Sequence, residues 1–367
     1  MTDAWPIVRL SEVLELRYGK SLSAATRSGT GFPVYGSNGQ VGAHDVPLTD
    51  GPTIVVGRKG SYGQITYSPG SCWPIDTTYY VDDSCTAADL RWLTHLLPTL
   101  GLDQMNKSAA VPGLSREDAY RLSIPLPPLE EQRRIAAILD KADELRTKRR
   151  EALAHLHALT QSIFHSMFGG ALPDALLSDA IGRLVGGKNV VGPDDSPNAF
   201  RVLKISSVTS GQYLETESKP LPEDYEPPRD HVVRDGDVII SRANTTELVG
   251  ASALAESTNG RSVLPDKLWR AVPTPRTNSR FLLATLQSTV VRGEISRRSS
   301  GSGGSMKNIS QPKLLSIPIA LPPLELQQTF ATRVATVERL KELHRKHLAE
   351  LDELFASLQH RAFKGEL

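Results

Sequence analysis

The sequence predicts an α+β protein written as an internal repeat: two β-rich domains, each followed by a long helix. Three observations carry this. Residues 126–170 and 321–365 align without a gap at an offset of 195. Each of these segments runs for about forty residues without an internal proline or glycine once its helix has begun. The stretches ahead of them alternate short Val/Ile/Thr/Tyr runs with Gly, Pro, Asn and Asp, the pattern of strands and tight turns.

The repeat sets the organisation. Identities at the fixed offset include Leu126/Leu321, Pro127/Pro322, Pro128/Pro323, Gln132/Gln327, Leu145/Leu340, Leu159/Leu354 and Phe168/Phe363. Upstream, Leu122–Pro125 matches Leu315–Pro318, Gly51–Arg58 resembles Gly236–Arg242, and Leu10–Val13 resembles Leu177–Ala180. Shared helical periodicity alone would not reproduce both the proline pair and the long register. The expected division is a first domain at 1–125, a central helix at 126–170, a second domain at 171–317 and a terminal helix at 318–367.

Each tail begins after Pro-Pro, which ends the preceding element and suits a first helical turn. Glu130 and Glu131 then put negative charge at the positive end of the helix dipole. At 1.5 Å per residue each helix would measure ~60 Å. The first tail reads in heptads, with Ile135, Ala142, Arg149, Leu156 and Ile163 on one seam position and Ile138, Leu145 and Leu159 on the other. The second is less regular, with Val337, Leu351 and Leu358 on one position and Leu340 and Leu354 on the other. Narrow apolar stripes on polar helices need a partner, and the other tail is the nearest candidate, giving a coiled coil. Arg149 and His344 are equivalent interruptions, expected near the middle of the pairing. Packing of each helix on its own domain is the alternative.

Residues 30–85 and 200–275 supply the strands, with short helices expected at 88–97 and 280–292. Arg58, Lys59 and Tyr62 follow one strand-like run, and Arg242 and Asn244 follow its counterpart. Arg, Lys and Asn carry the donors that read base edges and phosphates. A solvated turn would have the same composition. Arg297, Arg298 and Lys307 flank a run of Ser and Gly whose exposed backbone N–H groups suit phosphate, and Lys107 lies in the counterpart. A flexible linker would read alike. Lys20, Ser37, Asn38 and Lys204 complete the candidates.

Composition narrows the class. Lys and Arg number 42 against 41 Asp and Glu, so the chain is no polycation, although a basic patch remains compatible with this balance. Two cysteines, Cys72 and Cys85, give neither a disulfide framework nor a four-cysteine zinc site. No signal-like start and no long apolar run are visible, so a soluble cytoplasmic protein without a membrane contact is expected. Gly182–Asn189 approaches a phosphate-binding loop, but Asn189 stands where a Mg²⁺-binding hydroxyl belongs. His155 and His157 point to different helix faces, and His344 with His347 lacks a third ligand, so no metal is expected. No hydrolase, zinc-protease or Asn-Pro-Pro-aromatic motif is present, and no catalytic residue is assigned.

Ile124-Pro125 to Gln132, Ile317-Pro318 to Gln327, Pro33–Gly39 and Phe363–Leu367 together make the chain resemble the DNA-specificity subunit of type I restriction–modification enzymes, over essentially its whole length. Leu326, where the first copy has Glu131, departs from the pattern. The resemblance implies two target-recognition domains that each read half of a split double-stranded DNA sequence. It implies two conserved helices that pair antiparallel, act as a spacer ruler and dock two methyltransferase subunits, to which restriction–translocase subunits are added. It further implies a non-catalytic chain, with S-adenosylmethionine, ATP and Mg²⁺ on the partners.

Overall fold

The computed structural model describes residues 5–105, 113–301 and 306–367. The chain forms two compact units, Met1–Glu151 with Arg345–Leu367, and Ala152–His344. This division differs from one cut at the helix ends. The boundary falls inside both long helices, Leu129–Phe168 and Leu324–Lys364, so each unit holds one β-rich domain and a segment of each helix.

The two units share one topology. The first has a four-stranded sheet in the order Arg17–Tyr18, Thr78–Val81, Thr53–Gly57, Ile65–Ser68. The second repeats it as Ile181–Gly186, Leu268–Pro273, Val238–Ser241, Ser252–Leu254. Thr53–Gly57 and Val238–Ser241 are buried along their whole length, because the sheet is covered on both faces. A three-stranded sheet accompanies each, with one parallel pairing: Phe32–Gly36 beside Trp73–Pro74, and Arg201–Leu203 beside Ser262–Val263. A short helix in each unit, Leu10–Val13 and Leu177–Ala180, is closed by a carboxylate accepting from the residue ahead of it, Glu12 from the Arg9 N–H and Asp179 from the Leu176 N–H. The helices expected at 88–97 and 280–292 are Leu90–Leu96, and Ser279–Gln287 followed by Thr289–Arg298.

Gln132 explains why Pro-Pro-Leu-Glu-x-Gln recurs. Its buried amide donates to the Pro127 carbonyl (2.8 Å) and its Oε1 accepts from the Asp89 N–H (2.8 Å), at the N-cap of Leu90–Leu96. Gln327 does the same with Pro322 (2.7 Å) and the Asn278 N–H (2.9 Å), at the N-cap of Ser279–Gln287. A buried amide left unpaired costs about 1–3 kcal/mol, so this residue type is required where the first turn of the long helix meets the cap of the domain helix.

Within each unit the helix segments run antiparallel. In the first, Arg134 meets Leu367 and Arg146 meets Asp352; in the second, Thr160 meets Lys341 and Phe168 meets Phe330. The packed stripe differs from the heptad expectation by one residue at the second seam position. Leu145 (44% exposed), Leu159 (41%), Leu340 (43%) and Leu354 (49%) lie outward. Their successors Arg146, Thr160, Lys341 and Phe355 turn inward instead. Leu139 likewise replaces the expected Ile138, which is half-buried. The reason is the β-rich domain: each segment packs on a domain as well as on its partner helix, so the buried face follows the 3.6-residue period of a globular helix. Ile135, Ala142 and Val337 are buried. Arg149, Leu156, Ile163, His344, Leu351 and Leu358 are half-buried, and Arg149 and His344 belong to different units.

The units differ in how the domain grips its helices. In the second, Phe164, Phe168, Phe281 and Phe330 form a dry cluster with ring centroids 5.2–6.0 Å apart. In the first, Asp140 accepts from Arg91 (Nε, 3.0 Å) and contacts His95 (2.6 Å), Gln359 donates to the His95 carbonyl (3.0 Å), and Arg146 lies over Phe355 (4.2 Å) while bonding Asp352 (2.7 Å). Burial pushes the Asp140 carboxyl up, but hydrogen bonds from Arg91 and His95 outweigh it and hold the group below the usual carboxylate range. Cys72 and Cys85 are buried thiols.

Two predictions follow from this packing. Leu139→Ala should cost about 2–5 kcal/mol in denaturant unfolding while Leu145→Ala stays within about 0.5 kcal/mol; equal costs would restore the heptad seam. Asp140 has a depressed folded pKa, so its contribution is present above the unfolded value near ~3.9 and lost as pH falls through the folded value. The stability gap between wild type and Asp140→Asn should therefore be constant from neutral pH to about 5 and shrink below about 4. A gap that grows in acid would contradict this.

Candidate nucleic-acid interface

One end of each four-stranded sheet gathers the sequence candidates. In the first unit Arg58 leaves the central strand and lies over Tyr18 (5.1 Å) and Tyr79 (5.9 Å), with its Nη2 donating to the Asp76 carbonyl (2.7 Å). The Thr77 carbonyl anchors the turn by accepting from the Arg58 and Lys59 N–H groups and from the Ser37 hydroxyl (2.6 Å). Ser37 thus positions the arginine, and Asn38 beside it is exposed in the hairpin turn. Lys20 and Lys59 are exposed and have no ion pair among the described residues. Tyr62 packs against the core of the unit.

The second unit repeats this with other residues. Arg242 leaves the matching strand and lies over Trp269 (5.5 Å). Strand register makes Trp269 the counterpart of Tyr79 and Gly186 the counterpart of Tyr18. One large indole replaces two phenol rings, and a Cβ at Gly186 would press on it at 3.2 Å. Asn244 pairs with Lys307 across a short antiparallel ladder, so two separate sequence candidates meet. The Ser/Gly run between Arg298 and Lys307 lies partly, at residues 302–305, outside the described residues, as does Lys107.

The arginine backbone also fixes the chain returning from that run. The Arg58 carbonyl accepts from the Leu114 N–H (2.9 Å), and the Arg242 carbonyl from the Ile309 N–H (3.0 Å). Tyr79 adds a hydroxyl donation to the Leu114 carbonyl (3.1 Å). Burial, helped by the neighbouring Tyr18, raises the Tyr79 phenol to about 12, so it stays protonated and remains a donor.

Other candidates serve different ends. Arg298 donates to Glu294 (3.0 Å) and to the Ser316 hydroxyl (2.7 Å), closing the end of its helix, and Arg297 pairs with the same Glu294. Arg298 is therefore spent on structure. Lys204 faces Glu217 (3.6 Å) beside the three-stranded sheet. The loop-like Gly182–Asn189 run is a strand, Ile181–Gly186, and Gly187 is required because a Cβ there would collide with the Leu264 carbonyl. Gly19 is under the same constraint from Ile75. Sequence reading missed Lys188, the exposed counterpart of Lys20, and Arg116, which also lies over the Tyr18 ring (5.2 Å). Lys188 is found from the local match of Gly19-Lys20 with Gly187-Lys188; Arg116 had no signal, because the contact crosses almost a hundred residues. Among the described residues no cluster of His, Cys, Asp or Glu could hold a metal ion, and no helix is long and apolar enough to cross a membrane.

The class of fold defined here is a duplicated α+β protein of two β-rich domains and two long helices, with an arginine over an aromatic ring at the same sheet end in each unit. The family described as the type I restriction modification DNA specificity domain matches residues 2–155 and 235–353, more than half of the chain, and the protein belongs to it. The chain is 36% identical over 138 residues to the specificity subunit of the type I restriction enzyme EcoEI from Escherichia coli, covering 37% of this chain and 23% of that subunit. It is 24% identical to the MjaVIII specificity subunit from Methanocaldococcus jannaschii, covering 72% and 67%. The fold matches the crystal structure of the S subunit of a type I system from M. genitalium with a TM-score of 0.65, at 14% identity and 99% and 97% coverage. A chain solved in work on assembly and conformational transition of a type I system matches with a TM-score of 0.56, at 19% identity and 100% and 99% coverage.

Proposed function

We propose that this chain is the non-catalytic DNA-reading subunit of a type I restriction–modification enzyme, with one half of a split double-stranded target read by each unit. The observation that carries the reading is the duplicated site: Arg58 on Tyr18 and Tyr79, and Arg242 on Trp269, at equivalent sheet ends in both units. Lys20 and Lys59 in the first unit, and Lys188 and Lys307 in the second, lie on the strand ends and turns that carry these arginines and supply point charges suited to phosphates, while the arginine planes are held by rings. Joining two such readers raises affinity through effective concentration.

The chemistry is assigned to partners. Methyltransferase subunits would bring S-adenosylmethionine, and restriction–translocase subunits ATP and Mg²⁺. Docking on the helices is supported by the leucines that the packing leaves outward, since Leu145/Leu340 and Leu159/Leu354 are identical at the repeat offset and exposed in both copies. Identical apolar residues kept off the core, twice, suit one kind of partner bound twice.

Binding of the purified chain to duplex DNA across a salt series tests the first part. Lys59→Ala and Lys307→Ala should each weaken all sequences alike and reduce the log–log salt slope by about one unit; an unchanged slope removes that lysine from the interface. Leu145→Asp with Leu340→Asp should abolish co-purification with the methyltransferase subunit while leaving the unfolding midpoint and DNA binding unchanged. Retained co-purification would place docking elsewhere.

A further inference from the structure

Arginine needs two acceptors side by side, and in the major groove guanine offers them as N7 and O6. Adenine and cytosine present a donor, and thymine sets a methyl group beside its oxygen. We infer that Arg58 and Arg242 are the base-reading residues of the two units, each taking a guanine at the corresponding position of its half-site. This rests on the proposed DNA-reading function and deepens it.

Three features of the site favour a base over a phosphate. Both guanidiniums are held against aromatic faces, at 5.1 Å over Tyr18 and 5.5 Å over Trp269, which fixes a plane before DNA arrives. A fixed plane suits bidentate, in-plane pairing, whereas a phosphate accepts donors from many directions. In both arginines Nε is enclosed without a hydrogen-bond partner among the described residues, so recognition falls to the Nη end; in Arg58 one Nη2 N–H is taken by the Asp76 carbonyl (2.7 Å), which leaves the other N–H beside Nη1 as the fork that matches N7 and O6. Finally, the two sites are built from different residues to the same geometry: Tyr18 with Tyr79 in one, Gly186 with Trp269 in the other, and in both the arginine carbonyl pins the chain returning at Leu114 or Ile309. The ring is exchanged while the arginine and its anchoring stay. That is the pattern of a shared reading element, with the surrounding loops free to vary.

The test selects duplexes from a random library on the full chain and then places 7-deazaguanine, which lacks the N7 acceptor, at each guanine of the selected motif. Wild type should lose roughly tenfold or more in affinity at one guanine in each half-site. Arg58→Ala, which removes every donor, should be insensitive to the analogue in one half-site and keep the other half-site's preference, and Arg242→Ala should show the mirror result. Should an alanine variant fail to fold, Tyr18→Leu, which leaves Arg58 in place but unheld by that ring, should relax the same guanine. A motif unchanged in the alanine variants, with affinity lowered for all sequences, would make both residues phosphate contacts and overturn the inference while leaving the proposed function intact. No motif in wild type would overturn both.

Discussion

The buried amide of Gln132, and its repeat in Gln327, is the constraint on which the arrangement of each unit depends. An amide has two donors and an acceptor region that cannot be left bare in a core. Here one side closes on the proline carbonyl that starts the long helix, and the other on the backbone N–H at the cap of the domain helix. Helix direction is thus tied to the domain by hydrogen bonds with defined geometry, where apolar contact alone would allow sliding. The Pro-Pro step contributes by ending the preceding strand at a fixed residue.

Beyond this joint the two units secure their helices by different physics. The second uses four phenylalanines, and its counterpart of Arg91, Arg280, pairs with Glu256 of its own domain. The first uses Asp140, Arg91 and His95, with Arg146 over Phe355. Position by position, Asp140 corresponds to Ala335 and His95 to Ala284. Half-buried ion pairs return little net stability once desolvation is counted, but they enforce one geometry. The first unit's attachment is accordingly the one that responds to acid.

The candidate site follows the same economy of scaffold and variation. A rigid strand, buried on both faces, delivers an arginine to the sheet end; a ring from the neighbouring strand holds its plane; loops of differing length and composition surround it. Rigid elements supply position and loops supply diversity. Arg297 and Arg298 show the limit of composition as a guide, since two basic residues beside a Ser/Gly run proved to be a helix terminus paired with Glu294.

The sequence by itself determined the repeat, the helices and the strand-rich domains, because proline, glycine and β-branched patterns act locally and the offset of 195 holds without a gap along the two helix segments. It also brought Arg58 and Arg242 forward as equivalents. It misplaced one seam by a residue, because heptad counting considers a helix and one partner, whereas these helices also pack on a domain. Only the tertiary structure decided that Arg146 and Lys341 turn inward while Leu145 and Leu340 face out, and that Tyr18, Arg116 and Trp269 belong to the site. Those facts depend on strand pairing between residues far apart in the chain. No local pattern encodes which ring will stand opposite which arginine, and that is settled only when the strands find their register.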